Sequence, residues 1–480
     1  MKTHWQTAVV ILAILIFGAG MGPVNTARAK SMQPACAVDP DWFSAPSMPA
    51  EVKKSGSDGT STFCDFYQFS WQAFAYLMAK PASGKAERNF LDTSQYYELE
   101  VNADGSPANS CDAAKTGKTI FLRAAKSADG GTELIIPERI HQAGSQSVIY
   151  DQNGNVVYYD VRFSKNMCDV GNIASQYNFP GGTVELKGAW KVLTSADNPK
   201  DYITLDAEIA GQTVTTTLGL VGFHLAVATP DHPEFVWATY EHLSNAPDCT
   251  RPAKTTGWSF ASRKCTENLQ KGDMKTCNFN KAQSTGGLTG TPTQICRVYP
   301  YGSAPGDLDY QENIDDIIAL NNGVQPYLTD TYAVLKNYFN VGALWVSDIN
   351  QASVVKNQRG SLRLANTVAE TVFQDVDLNS RFVSNCFGCH GYAGKGNPAK
   401  AMNTTSGSLS HIFDDIVAGL GACVDVQASA VINSQSGADA ACPKTCADAS
   451  KYLKWNGQWT NQDAKTGAQL PMTVCGCCGK

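Results

Sequence analysis

The spacing of apolar and polar positions divides the chain into stretches of different period. Phe66 to Met78 carries Trp71, Phe74, Ala75 and Met78 at helical spacing, with Pro81 just beyond, so a helix with a buried face is expected there. The period then shortens to strand-like runs rich in Val, Thr and aromatic residues: Val184 to Leu193, Tyr202 to Ile209, Val214 to Ala228 and Phe235 to Tyr240. Residues 148–151 and 156–163 flank Gln152-Asn153-Gly154-Asn155, whose Asn-Gly step predicts a hairpin. From Gln311 the period lengthens again: Ile314, Ile317 and Ile318, then Tyr332, Leu335 and Tyr338, with Leu362 to Val376 continuing the helical pattern. Asp425 to Ala441 is rich in Ser, Ala and Gln and reads as a linker.

These stretches predict an α+β chain. Its expected parts are a signal peptide over 1–29, a strand-rich body over 31–245, a disulfide-held loop region over 246–300, a helical region over 301–424, the linker over 425–441, and a small disulfide-rich β module over 442–480. The leader is read from Lys2 and His4, the apolar run Ala8 to Phe17, and Ala27-Arg28-Ala29, whose small residues suit cleavage after Ala29. Sixteen cysteines agree with an oxidising compartment, periplasmic or secreted. The 480 residues carry 38 basic against 44 acidic side chains, a net charge of −6, with no basic tract. Binding to nucleic acid by phosphate neutralisation is therefore not expected. Beyond the leader no apolar run reaches eighteen residues, so no transmembrane anchor is expected.

One constellation carries distinct chemistry: Cys386-Phe387-Gly388-Cys389-His390. Two cysteines separated by two residues put both sulfurs on one side of a turn. There they can form thioethers with the two vinyl groups of a haem, and the adjacent His390 can present its imidazole to the iron. A redox dithiol, a zinc ligand pair and a structural disulfide are the rival readings of the same spacing. For the sixth iron ligand the candidates are Met402, twelve residues on, and His224, with His411, Met472 or an open position as alternatives. His224 falls on a predicted strand with Leu218 and Leu220 assigned to its own face, which also reads as a core histidine. His224, His232 and His242 could meet around a metal, although nothing in the sequence fixes them together.

The tail holds a second constellation, Trp455-Asn456-Gly457-Gln458-Trp459-Thr460, among Cys442, Cys446, Cys475, Cys477 and Cys478. Two tryptophans bracketing a polar turn can stack on a sugar ring while amides meet its hydroxyls; equally, they can form the core of a very small domain. Five tail cysteines cannot pair among themselves, so Cys423 is expected either to bond to one of them or to leave a free thiol.

The segments Phe69 to Phe74, Gly219 to Leu225, Phe235 to His242 and Leu364 to Thr371, placed before the haem motif, resemble a poorly characterised family of bacterial monohaem c-type cytochromes over residues 60 to 395. The tail is similar to mannan-binding lectins in its Trp-Asn-Gly-Gln-Trp-Thr core and its ending from Met472 to Cys477. Together these resemblances imply an exported cytochrome holding one covalent haem c, transferring single electrons to redox partner proteins, with a module for mannose-containing glycans. No catalytic residue is assigned. The alternatives are a haem-dependent peroxidase or oxidase with an open iron position, and a glycan-binding protein with a structural haem.

Overall fold

The computed structural model describes residues 36–98, 120–121, 148–169, 178–209, 215–250, 252, 254–281, 289–351, 355–379, 385–392, 405–413, 423–449, 453–463 and 467–479. The expected leader over 1–29, Met402 and Cys111 lie outside this set, as does the side chain of Cys168.

Helix α1, Phe63–Met78, begins three residues before the apolar period does, because Thr62 and Asp65 form a capping box. Asp65 is buried and also accepts hydrogen bonds from the amide and hydroxyl of Ser55. The strands are β1 Tyr96–Glu98, β2 Ile120–Phe121, β3 Tyr158–Ser164, β4 Thr183–Val192, β5 Thr204–Ile209, β6 Thr215–Ala228, β7 Val236–His242, β8 Tyr338–Val346 and β9 Gln358–Gly360. Among the described residues they form one sheet in the order β1-β3-β4-β6-β7-β8-β9, with β5 pairing β6 beside β7 and β2 pairing β5. Every pairing is antiparallel except β2 with β5. The turn at Asn153-Gly154 forms as expected, but it closes on the single bridge Tyr150 to Val156 before β3 begins.

The sheet has two covered faces. Helix α1 and helix α3, Tyr310–Gly323, pack on one, against Trp190, Leu218, Leu220, Phe223, Leu225 and Tyr240. The other face carries Phe163, Ala226, Phe235, Trp237 and Val341, and the segments holding Phe387, Leu409 and Phe413 pack on it. Residues 249–296 are a disulfide-held excursion as expected, with pairs Cys249–Cys296 and Cys265–Cys277 and helix α2, Arg263–Gln270.

Three expectations of organisation need correction. The sheet does not end at residue 245: β8 and β9, within the stretch read as helical, are two of its strands, and β8 is a mostly apolar run buried along nearly its whole length, which periodicity does not tell apart from a buried helix. Tyr332 and Leu335 lie in a 3-10 segment, Asp330–Asn337, and Tyr338 opens β8. Leu362 to Val376 is turns with one short 3-10 segment, Thr371–Phe373. There the amides of Asn366, Thr367 and Val368 donate to Glu370 Oε2, Glu241 Oε1 and Asn366 Oδ1, so side-chain oxygens take the bonds a helix would use.

The stretch read as a linker, 425–441, is also folded. It contributes most of β10, Cys423–Gln427, and the first half of helix α4, Gln435–Ala449. With β11, Leu453–Gln462, and β12, Gln469–Gly479, these make a three-stranded module, ordered β10-β12-β11, whose core is built around Cys442, Cys446, Cys475 and Cys477. It is closed by Cys423–Cys478, Cys442–Cys475 and Cys446–Cys477. Cys423 therefore does bond to a tail cysteine, but as part of the module's own edge strand.

Candidate functional site

Cys386 to Cys389 forms a single helical turn capped by Asn385, whose Oδ1 accepts from the Gly388 amide while its Nδ2 donates to Gln358 Oε1 and the Leu362 carbonyl. The turn is thus pinned to β9 and to the chain that follows it. Phe387 is fully buried and points into the apolar cluster on the sheet, near Trp237 and Tyr392. Cys386 and Cys389 are the free thiols among the described cysteines; twelve others are paired. Burial pushes the Cys386 thiol up, and the Glu370 carboxylate adds to this.

His390 ends the turn with its ring 4.4 Å from that of Trp237 and stacked on His411 at 4.3 Å. Its Nδ1 lies 2.9 Å from the Leu409 carbonyl. A carbonyl only accepts, so Nδ1 carries the proton and Nε2 keeps its lone pair. Burial, with His411 beside it, holds the imidazole well below its usual range, which favours this neutral form.

The sheet opposite the turn is polar where β4 and β6 pair. Lys187 faces His224 in register, and Thr239 of β7 is the next partner across. His224 Nε2 is 3.2 Å from Glu370 Oε1, yet it is buried without a well-aligned hydrogen-bond partner. Burial lowers Lys187 to about 8, against the opposing pull of Glu370 and Glu185.

The position of His224 corrects the sequence reading. In the β4–β6 register Ala189 pairs Gly222 and Trp190 pairs Leu220, so Val221 is an extra residue. A one-residue bulge exchanges the two faces of a strand. Leu218 and Leu220 lie on the helix-covered face, whereas His224 and Ala226 face the Cys386–His390 turn. Gly222 sits at the bulge because Val368 and Asn366 press on it: an added Cβ would stand 2.7 Å from Val368 Cγ2. Sequence reasoning missed Glu370, Lys187 and Trp237, since nothing local marks residues that only the sheet brings to one place. The three histidines do not meet: His232 packs on Phe66 beside Glu234, and His242 lies between Tyr202 and Tyr338.

In the module, Trp455 pairs Cys477 and Trp459 pairs Cys475, so four residues on β11 span two on β12 and Asn456-Gly457-Gln458 bulges outward. Gly457 takes φ +89 to allow it, and Asn456 Oδ1 accepts from the Gln458 amide. Both indole N–H groups are spent internally: Trp455 donates to the Gln458 carbonyl and Trp459 to Gln435 Oε1. Each ring packs one edge on the disulfide core and stays partly exposed, while Asn456, Gln458 and Thr460 are exposed. A cavity of about 400 Å3 adjoins Trp459, lined also by Asp425, Gln435, Gln458, Thr460 and Gly476. That volume is in the range of small-ligand pockets.

Residues 435–477 match the family described as mannan-binding protein. No curated protein and no solved structure matches the chain. The tail thus carries a domain similar to that family, and the fold extends it: β10 lies ahead of the matched residues, yet it pairs with β12 and is disulfide-bonded to it. Met472 belongs to this module, on β12. Among the described residues no helix is long and apolar enough to cross a membrane.

Proposed function

We propose that this protein is an exported monohaem c-type cytochrome that passes single electrons to and from redox partner proteins, with its C-terminal module binding mannose-containing glycans. The observation that carries the haem reading is the pair of free thiols on one turn beside a histidine whose Nδ1 is already committed. In a chain whose other described cysteines are paired, such a donor set suits a covalently attached haem, with Cys386 and Cys389 as thioether positions and His390 Nε2 as the proximal ligand. When bound, the haem supplies the one-electron Fe(III)/Fe(II) couple. The chain's part is to orient the His390 ring through Leu409, to wall it with Trp237 and Phe387, and to hold His224 on the facing surface as the candidate sixth ligand. A protein-ligated sixth position favours electron transfer over the peroxidase or oxidase alternative, which needs it open. Zinc is less well supported, since no group of three metal-ligating side chains converges among the described residues.

The glycan reading rests on the family match over 435–477 and on the partly exposed Trp459 beside a cavity. The decisive experiment is export of the protein from a host with a working cytochrome-maturation system. One added haem mass, and a reduced-minus-oxidised spectrum lost in Cys386→Ser/Cys389→Ser, are the expected results; bare polypeptide would overturn the redox reading. Binding to a mannan column that is lost in Trp459→Ala, with the fold intact by circular dichroism, tests the module separately.

A further inference from the structure

Asp425 lies outside the residues matched to the mannan-binding family, yet β10 brings it to the wall of the cavity beside Trp459. In the β10–β12 register it stands opposite Gly476, and Val426, next to it, packs on the module core. Among the described residues lining that cavity it is the charged one. The neighbouring Gln435 is already occupied, accepting from the Trp459 indole with Oε1 and donating from Nε2 to Asp439. Asp425 is exposed and makes no ion pair with any described residue. An ionised carboxylate is an acceptor only, with two oxygens able to take two O–H donors at once, and such charge-assisted bonds are the stronger class. Adjacent hydroxyls on a hexose ring present that pair of donors at the right spacing. The same charge opposes a carboxylate on the incoming sugar, and little in the lining offsets it.

We propose that Asp425 accepts two adjacent hydroxyls of a neutral hexose in this cavity and, by its charge, excludes uronic-acid polymers. This rests on the glycan-binding reading of the module, and it adds a residue and a substrate class to it.

The test uses the full-length exported protein with two probes, mannan and a polymer of mannuronic acid, measured by titration calorimetry. The wild type is expected to bind mannan and reject the acidic polymer. Asp425→Asn, which keeps shape and removes charge, should weaken mannan binding roughly 10- to 100-fold, the scale of lost hydrogen bonds to a charged group. It should also narrow the preference for mannan over the acidic polymer, and raised salt should do the same in the wild type. Retention of Cys423–Cys478 in a non-reduced peptide map shows that the variant is folded. Mannan affinity within twofold of wild type in Asp425→Asn overturns the acceptor role. Unchanged rejection of the acidic polymer by that variant overturns the charge filter. Failure of the wild type to bind mannan would instead overturn the glycan reading itself, and this inference with it.

Discussion

At the scale of single residues, two histidines show how surroundings choose chemistry. His242 is buried with Nε2 donating to the Asp201 carbonyl at 3.0 Å and Nδ1 accepting from the Ser244 amide, an arrangement only the neutral ring can make. Burial accordingly lowers it to about 4. A histidine depressed in the folded state costs stability on acidification: its contribution is intact above about pH 6.5 and is lost as pH falls towards 4, by at most about 3 kcal/mol. Denaturant titrations across that window should show His242→Gln to be less stable at neutral pH but with a flatter profile than the wild type. His224 faces the other chemistry. If it supplies the sixth ligand to a bound haem, His224→Ala should convert a low-spin spectrum to a high-spin one that binds cyanide readily. An unchanged low-spin spectrum would remove His224 from that role.

Among the elements, the bulged strand β6 matters most to the proposed haem site. Its extra residue, Val221, sets which face His224 joins, and Gly222 keeps the bulge pressed against Val368 and Asn366. Gly222→Ala should destabilise the body by roughly 1–3 kcal/mol, as overpacking does, and move the Asn366–Glu370 turn that lies against His224. Equilibrium unfolding measures the first effect; the low-spin spectrum of the haem-loaded variant reports the second. The strands themselves were legible, since β4 to β7 lie within a residue or two of the alternating runs. The bulge was not, because periodicity carries no mark of where a partner strand skips a residue. The helical reading of 362–376 failed for a related reason: buried Glu241 and half-buried Glu370, distant or non-periodic in sequence, take the amide donors.

For the whole molecule, stability is divided between a large apolar sheet and a small module that leans on its disulfides. The module's described core holds only eight buried apolar residues, four of them cysteines, and its bonds close spans of 55, 33 and 31 residues. Each such closure is worth about 3–4 kcal/mol in the chain-entropy account. Mild reduction should therefore abolish mannan binding and melt the module, while the far-UV signal of the sheet and any haem spectrum persist. Loss of both together would argue that the two parts do not hold their folds separately.

By itself the chain determined its α+β character, the strands β3 to β7, and two candidate constellations, and by parity it narrowed Cys423 to a bond with the tail or a free thiol, because each is written in local spacing or residue type. Only tertiary structure decided that the sheet runs past residue 300, that the supposed linker is strand and helix, and which side chains surround His390 and Trp459. Those outcomes depend on register and on contacts between segments far apart in sequence, where a single skipped residue reverses the face a side chain shows.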